Sequence, residues 1–160
     1  MTDVSGEDYA SLLMEVAGKI GTLLQKKTSE IWSLEPSASV YEAVRIMAEK
    51  EVGALLVMRD QTLVGIVSER DYARKIVLQG RSSHDTPVAD IMTSPVITVT
   101  LSHTVGECMR IVTEKRIRHL PVVDGDKVTG IVSIGDLVNW VVSEQQETIR
   151  HLQAWIAGGS

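Results

Sequence analysis

Cysteine occurs once in these 160 residues, at Cys108, so no disulfide can form within the chain and nothing points to an oxidising compartment. Phenylalanine is absent, and three tryptophans with three tyrosines leave few flat surfaces on which nucleic-acid bases could stack. Positive charge is short as well. Sixteen basic against twenty-one acidic side chains give a net charge of −5 and a pI near 5.4. That balance argues against a general nucleic-acid binder, which needs an electropositive face to neutralise phosphates. Long apolar runs are missing too: Ala54 to Met58 is among the longest, against roughly twenty residues needed to span a bilayer. The amino terminus, MTDVSGED, lacks the basic-then-apolar pattern of a secretory signal. These absences predict a cytoplasmic protein with no membrane partner.

What is present is enough to fold. Hydrophobic residues make up 44% of the chain, sufficient for a real interior in one compact domain or in two half-domains sharing a core. The most informative feature is internal: a shift of 65 positions lays residues 28–72 on residues 93–137 without a gap. Thr28, Ser29, Ser37, Val40, Glu42, Arg45, Ile46, Glu49, Lys50, Leu55 and Val57 all meet their own kind, as do Gly65-Ile66-Val67-Ser68 on Gly130-Ile131-Val132-Ser133 and Asp71 on Asp136. Two copies of one supersecondary unit account for this.

Each copy parses in the same way. An apolar stretch reads as a strand, Ile31 to Leu34 and Val96 to Val99. Ser39 three residues before Glu42, and Thr104 three before Glu107, are matched capping boxes that start a helix. Val40, Ala43, Val44 and Met47, like Val105, Cys108, Met109 and Val112, then recur at helical spacing. Two β-rich runs come next, Ala54 to Met58 with Leu63 to Val67 and Leu120 to Val123 with Lys127 to Val132, the latter pair joined at an Asp124-Gly125 turn signal. Pro121 inside such a run suggests an edge strand. A second helix begins at Ser68 or Ser133.

The unit is thus β-α-β-β-α, and the expected class is α+β, two such repeats packed sheet to sheet about a pseudo-twofold axis. The expected divisions are an N-terminal segment 1–27, repeat one 28–80, a linker 81–92, repeat two 93–143 and a helical extension 144–160. Leu12, Leu13, Val16, Ala17, Ile20, Leu23 and Leu24 form a stripe in the N-terminal segment that Gly18 and Gly21 weaken. Val138, Val141, Ile149, Leu152, Trp155 and Ile156 carry the last helix well past Ser143. Pro87 to Met92, with Thr86 as its cap, reads as a short helix in the linker.

The segments GIVSERD and GIVSIGD, with MTSPVITV and KRIRHLPVVDGDKVTGIVS, resemble a tandem pair of CBS domains, named after cystathionine β-synthase, over about residues 16–143. The resemblance implies a regulatory module that binds an adenosine ligand, AMP or NAD ahead of ATP, ADP or S-adenosylmethionine. It further implies a homodimer acting on itself or on an unidentified protein target. The residues supply a physical logic of their own. Ser68-x-x-Asp71 stands where a strand gives way to a helix, whose first free N–H groups attract phosphate oxygens. A carboxylate there can accept hydrogen bonds from both hydroxyls of a ribose. The same pattern is also an ordinary capping box, and the two roles are compatible.

Carried over from the family, site A combines Ile66, Ser68, Arg70 and Asp71 with Val96, Ile97, Ile117, Arg118 and His119. Site B combines Ile131, Ser133, Gly135 and Asp136 with Lys27, Trp32, Val52, Gly53 and Ala54. Guanidinium groups match phosphate oxygens with forked donors, so phosphorylated nucleotide is expected to prefer site A. Site B has Lys27 as its candidate cation. No nucleophile elbow, Walker loop or paired-His motif is present, the four histidines lack metal-ligand spacing, and neither an enzyme nor a catalytic cofactor is expected. A second reading keeps the fold without a ligand, as a dimerisation adaptor whose Ser/Asp turns only cap helices.

Overall fold

The computed structural model describes residues 18–27 and 30–158. The expected helix residues Leu12, Leu13, Val16 and Ala17, and the first two residues of repeat one, lie outside them. The chain divides into two compact units. One comprises Ser29–Thr98 and Val123–Gly130; the other comprises Met1–Thr28, Val99–Val122 and Ile131–Ser160. The fold is α+β, with two three-stranded sheets and flanking helices.

The first sheet runs β1 (Ser33–Leu34), β2 (Ala54–Arg59), β3 (Thr62–Ser68), with β1 parallel and β3 antiparallel to the central β2. Ala54 faces Ser68 at one end of the β2–β3 pair and Arg59 faces Thr62 at the other, with a register shift between Val57 and Met58. Asp60 turns the hairpin with φ at 57°, a left-handed conformation that aspartate tolerates better than most residues. Helix α2 (Val40–Lys50) lays Val40, Ala43 and Met47 on Leu55, Val57 and Val67. Ser68 then starts the short helix α3 (Glu69–Tyr72), which passes into a π-helical turn over Ala73–Val77.

The linker departs from expectation in detail. Pro87, not Thr86, stands at the N-cap of a single 3-10 turn over Val88–Asp90. Thr86 is buried and gives its hydroxyl proton to the Ser82 carbonyl at 2.7 Å, while its own carbonyl accepts from Val40 N–H at 2.8 Å. Thr86 thus ties the linker to the start of α2 rather than capping the 3-10 turn.

In the other unit, helix α1 (Ile20–Lys26) buries Ile20 and Leu23. They join a core with Val105, Cys108 and Val112 of α4 (Val105–Lys115) and Leu137, Trp140 and Val141 of α5 (Ile134–Gly158). A Cβ at Gly21 would sit tightly, 3.3 Å from the Leu101 carbonyl oxygen, which already accepts the Gly21 N–H at 3.0 Å, and one at Gly18 would lie 3.2 Å from the Trp140 ring. Of the two glycines expected to weaken this helix by propensity, only Gly21 lies within it; Gly18 stands just outside, beside Trp140.

The second sheet is ordered β4 (Val99–Thr100), β5 (His119–Asp124), β6 (Lys127–Ser133), so β5 is central and Pro121 is not on an edge strand. The physical reason lies in the repeat. Leu56, the counterpart of Pro121, donates its N–H to the Trp32 carbonyl at 3.2 Å. Proline has no N–H to give, and β4 starts only at Val99, the counterpart of the second residue of β1.

The capping boxes also diverge. Thr104 and Glu107 form both halves of theirs. Ser39 accepts from Glu42 N–H at 3.1 Å, but the Glu42 carboxylate turns instead to Arg45, at 2.6 Å.

Candidate functional site

At the end of β3, the Ser68 hydroxyl accepts from Asp71 N–H at 3.2 Å, and Asp71 Oδ2 accepts from Ser68 N–H at 3.0 Å. The Ser68 hydroxyl also lies 3.1 Å from that oxygen. Asp71 Oδ1 meets Lys75 Nζ, one helical turn on, at 3.1 Å. Lys75 donates a second bond to the Ile91 carbonyl at 2.8 Å. Sequence reading missed Lys75; its spacing of four from Asp71 was the available signal.

This turn lies against its own repeat. Glu69 N–H bonds the Gly53 carbonyl at 3.1 Å, and Ala54 pairs with Ser68, so Gly53 and Ala54 adjoin the turn of Asp71 within this unit. Ile66 exchanges two backbone bonds with Thr93, at 2.8 and 3.1 Å. Val52 and Trp32 pack at the margin of the core, and Lys50 places its ammonium 4.4 Å from the Trp32 ring centre. Arg70 and Val96 are half-buried and Ile97 is exposed.

The second turn, in the other unit, repeats these bonds. Ser133 Oγ accepts from Asp136 N–H at 3.1 Å, and Asp136 Oδ2 accepts from Ser133 N–H at 2.8 Å. Ile134 N–H bonds the Arg118 carbonyl at 2.9 Å, the counterpart of the Glu69–Gly53 bond. Ile117 packs on the core, Arg118 is exposed and His119 opens β5 half-buried.

Both aspartates meet a lysine, but the second takes its lysine from far along the chain. Lys27, just beyond α1, brings its Nζ to 2.6 Å from Asp136 Oδ2 and 2.7 Å from the Ile131 carbonyl. Burial pushes the Asp136 carboxyl up, but the Lys27 ammonium and the Ser133 donors outweigh it and hold the group below the usual carboxylate range. Beside this pair is a cavity of about 410 Å³ whose lining includes Lys26, Lys27, Asp136, Trp140, Glu144 and Glu147.

The sign of the linkage is testable. A carboxyl depressed in the folded state contributes stability that is full above its unfolded value, about pH 4, and is lost as the pH falls through the folded value. Asp136→Asn is therefore expected to flatten the acid limb of unfolding free energy against pH, measured by urea titration. An acid limb unchanged by the substitution would mean that the pair contributes nothing to the pH response.

Other candidate chemistry is spoken for. Cys108 is fully buried, and burial, then the charge of Glu107, pushes its thiol up to about 12, far from a reactive thiolate. His103 Nδ1 accepts from Thr100 N–H at 2.9 Å as part of an exposed turn, and His84 stacks on Tyr41. Among the described residues no group of three or more His, Cys, Asp or Glu could hold a metal ion, and no helix is long and apolar enough to cross a membrane.

Residues 24–78 and 88–143 each match the family model of the CBS domain. The chain belongs to the CBS-domain family. Its relatives include the CBS domain-containing protein CBSX3, mitochondrial, of Arabidopsis thaliana, 48% identical over 126 residues. That match covers 76% of this chain and 61% of the relative, so the chain spans under two thirds of that protein's length. A CBS-domain protein of known structure from Burkholderia ambifaria MC40-6 is 48% identical with a TM-score of 0.77, over 79% of this chain and 96% of that one. The CBS domain protein PAE2072 from Pyrobaculum aerophilum, solved in complex with AMP, is 27% identical with a TM-score of 0.67, over 74% and 88%. CBS-domain pairs are generally regulatory modules without catalysis of their own.

Proposed function

We propose that this chain is a non-catalytic regulatory module that binds an adenosine nucleotide at its Ser/Asp turns and works as a homodimer. The observation that carries the reading is the pair of Ser-x-x-Asp turns, built twice with the same hydrogen bonds, in a chain similar to a CBS protein that binds AMP. Each turn offers a carboxylate suited to a ribose diol beside the first N–H groups of a helix. Arg70 in the first turn corresponds to Gly135 in the second, which favours the first turn for a phosphorylated ligand, AMP or NAD before ATP, ADP or S-adenosylmethionine.

A thermal-shift series with these compounds tests the reading. At a hundred times its dissociation constant a ligand adds about 2.7 kcal/mol, a rise in Tm of about 5–10 °C for a chain of this size. No rise with any of them would support the second reading, a ligandless adaptor. That alternative has its own observation, since both carboxylates already have partners in their own units, Asp71 in Ser68 and Lys75 and Asp136 in Ser133 and Lys27.

A further inference from the structure

Helix α5 has two apolar faces. Leu137, Trp140 and Val141 turn inward to the core of their unit. Val138, Val142, Ile149, Leu152 and Ile156 are 45–72% exposed, and Trp155 beside them is 76% exposed. Among the described residues none from Gln145 onward is buried, and a helical stretch of that length is marginal in water unless one face is packed. The stretch also lies beyond residue 143, where the match to the CBS family ends. The outer residues have a spacing of their own. Val138, Val142, Gln145, Ile149, Leu152 and Ile156 follow one another in alternating steps of four and three, the heptad seam of a coiled coil. Val142, Ile149 and Ile156 take the a positions and are all β-branched; Val138, Gln145 and Leu152 take the d positions. β-branched residues at a with leucine at d favour two parallel strands. Glu144, Glu147, Arg150 and His151 all fall at the outward b, c and f positions, so two copies of the seam meet with no like charges opposed. Gln145 sets the direction. In a parallel pair its amide meets the same amide of the second copy, whereas in an antiparallel pair it lies against an apolar side chain and has no partner.

We propose that the outer stripe of α5, from Val138 to Ile156, is the seam of a parallel two-stranded coiled coil with a second copy of this chain. It gives the homodimer of the proposed function its surface, and rests on that part of the reading alone. The seam runs about 27 Å. With Trp155 it offers on the order of several hundred Å² of free apolar surface per copy, the scale on which specific interfaces are built. Its shortness is offset at one end, because the packed turns around Leu137 and Trp140 already hold the helix from which the seam grows, and no new nucleus is needed. The unit keeps its own core without a partner, so the seam is read in association and not in the unfolding of the dilute chain.

The test is sedimentation equilibrium of the wild-type chain and of a double variant, Ile149→Asp with Leu152→Asp, both at exposed positions outside the core. Wild type is expected to be a dimer. The double variant is expected to dissociate about a hundredfold more readily or beyond, since each charge closed into the seam loses its water. A second measurement needs no disruption: Gln145→Cys is expected to give a disulfide-linked dimer on mild oxidation, and Glu147→Cys, at an outward position, is not. The native Cys108 is fully buried and does not compete. A monomeric wild type, the outcome if another protein or this chain's own residues cover the stripe, overturns the seam and the homodimer together and leaves nucleotide binding standing. A dimer that survives both aspartates overturns the seam alone. Dissociation of the double variant without cross-linking at Gln145 overturns the parallel pairing.

Discussion

Leu137→Ala is expected to lower the unfolding free energy by about 2–5 kcal/mol in a urea titration. Leu137 is fully buried in the first turns of α5, in a core shared with Ile20, Val112, Leu120 and Val132. Truncation there removes buried methyl groups and leaves a cavity that packed β-branched neighbours cannot close. Leu152, about four turns along the same helix, is 55% exposed, and Leu152→Ala is expected to change stability by about 0.5 kcal/mol or less. The contrast tests how α5 is divided. Its start holds the unit together, while Ile149, Leu152, Trp155 and Ile156 show apolar surface within the described chain. Equal losses at the two positions would mean that the tail is packed as tightly as the start.

The same division bears on what the sequence discloses. Helical spacing carried the last helix well past Ser143, and α5 does run to Gly158, because spacing is a property of the helix itself. Local chemistry was equally readable: Ser68 and Ser133 end strands and begin helices, and the Asp124-Gly125 signal marks a turn in which Gly125 takes a φ of 62°. Where reading failed, the deciding group was distant or in competition. Glu42 has the spacing of a capping box but Arg45 takes its carboxylate, and Thr86 has the identity of a cap but bonds back to Ser82. Pro121 marks an edge by rule, yet occupies a central strand because its missing N–H costs one bond at the point where β4 begins.

The candidate site shows the same limit more sharply. Identical Ser-x-x-Asp spacing made both turns legible, and Arg70 against Gly135 set them apart in charge, but not in what each carboxylate meets. Lys27 stands 109 residues from Asp136, and no pattern in the chain pairs them. Its recognition as the cation near the second turn came from the family resemblance; its direct grip on the carboxylate came only from the fold. Lys75 was hidden for a different reason, since an exposed lysine four residues after an aspartate on a helix is common and carries no mark of function.

Asp71→Ala is expected to weaken AMP binding tenfold or more by calorimetry, given the proposed function. Two charge-assisted bonds to a ribose diol contribute about 1.5–3 kcal/mol each, and 1.4 kcal/mol is already a factor of ten. Alanine alone leaves an ambiguity, because Asp71 also closes the capping box by accepting from Ser68 N–H, so affinity could fall through a loosened turn. Asp71→Asn separates the two. Its amide oxygen can still accept the Ser68 N–H and hold the start of α3, but it has no charge for the diol and only one acceptor oxygen. An asparagine variant with wild-type Tm and AMP affinity down about tenfold assigns the loss to the carboxylate itself. Wild-type affinity in that variant would reduce Asp71 to a helix cap, and with it the first turn's claim to the nucleotide.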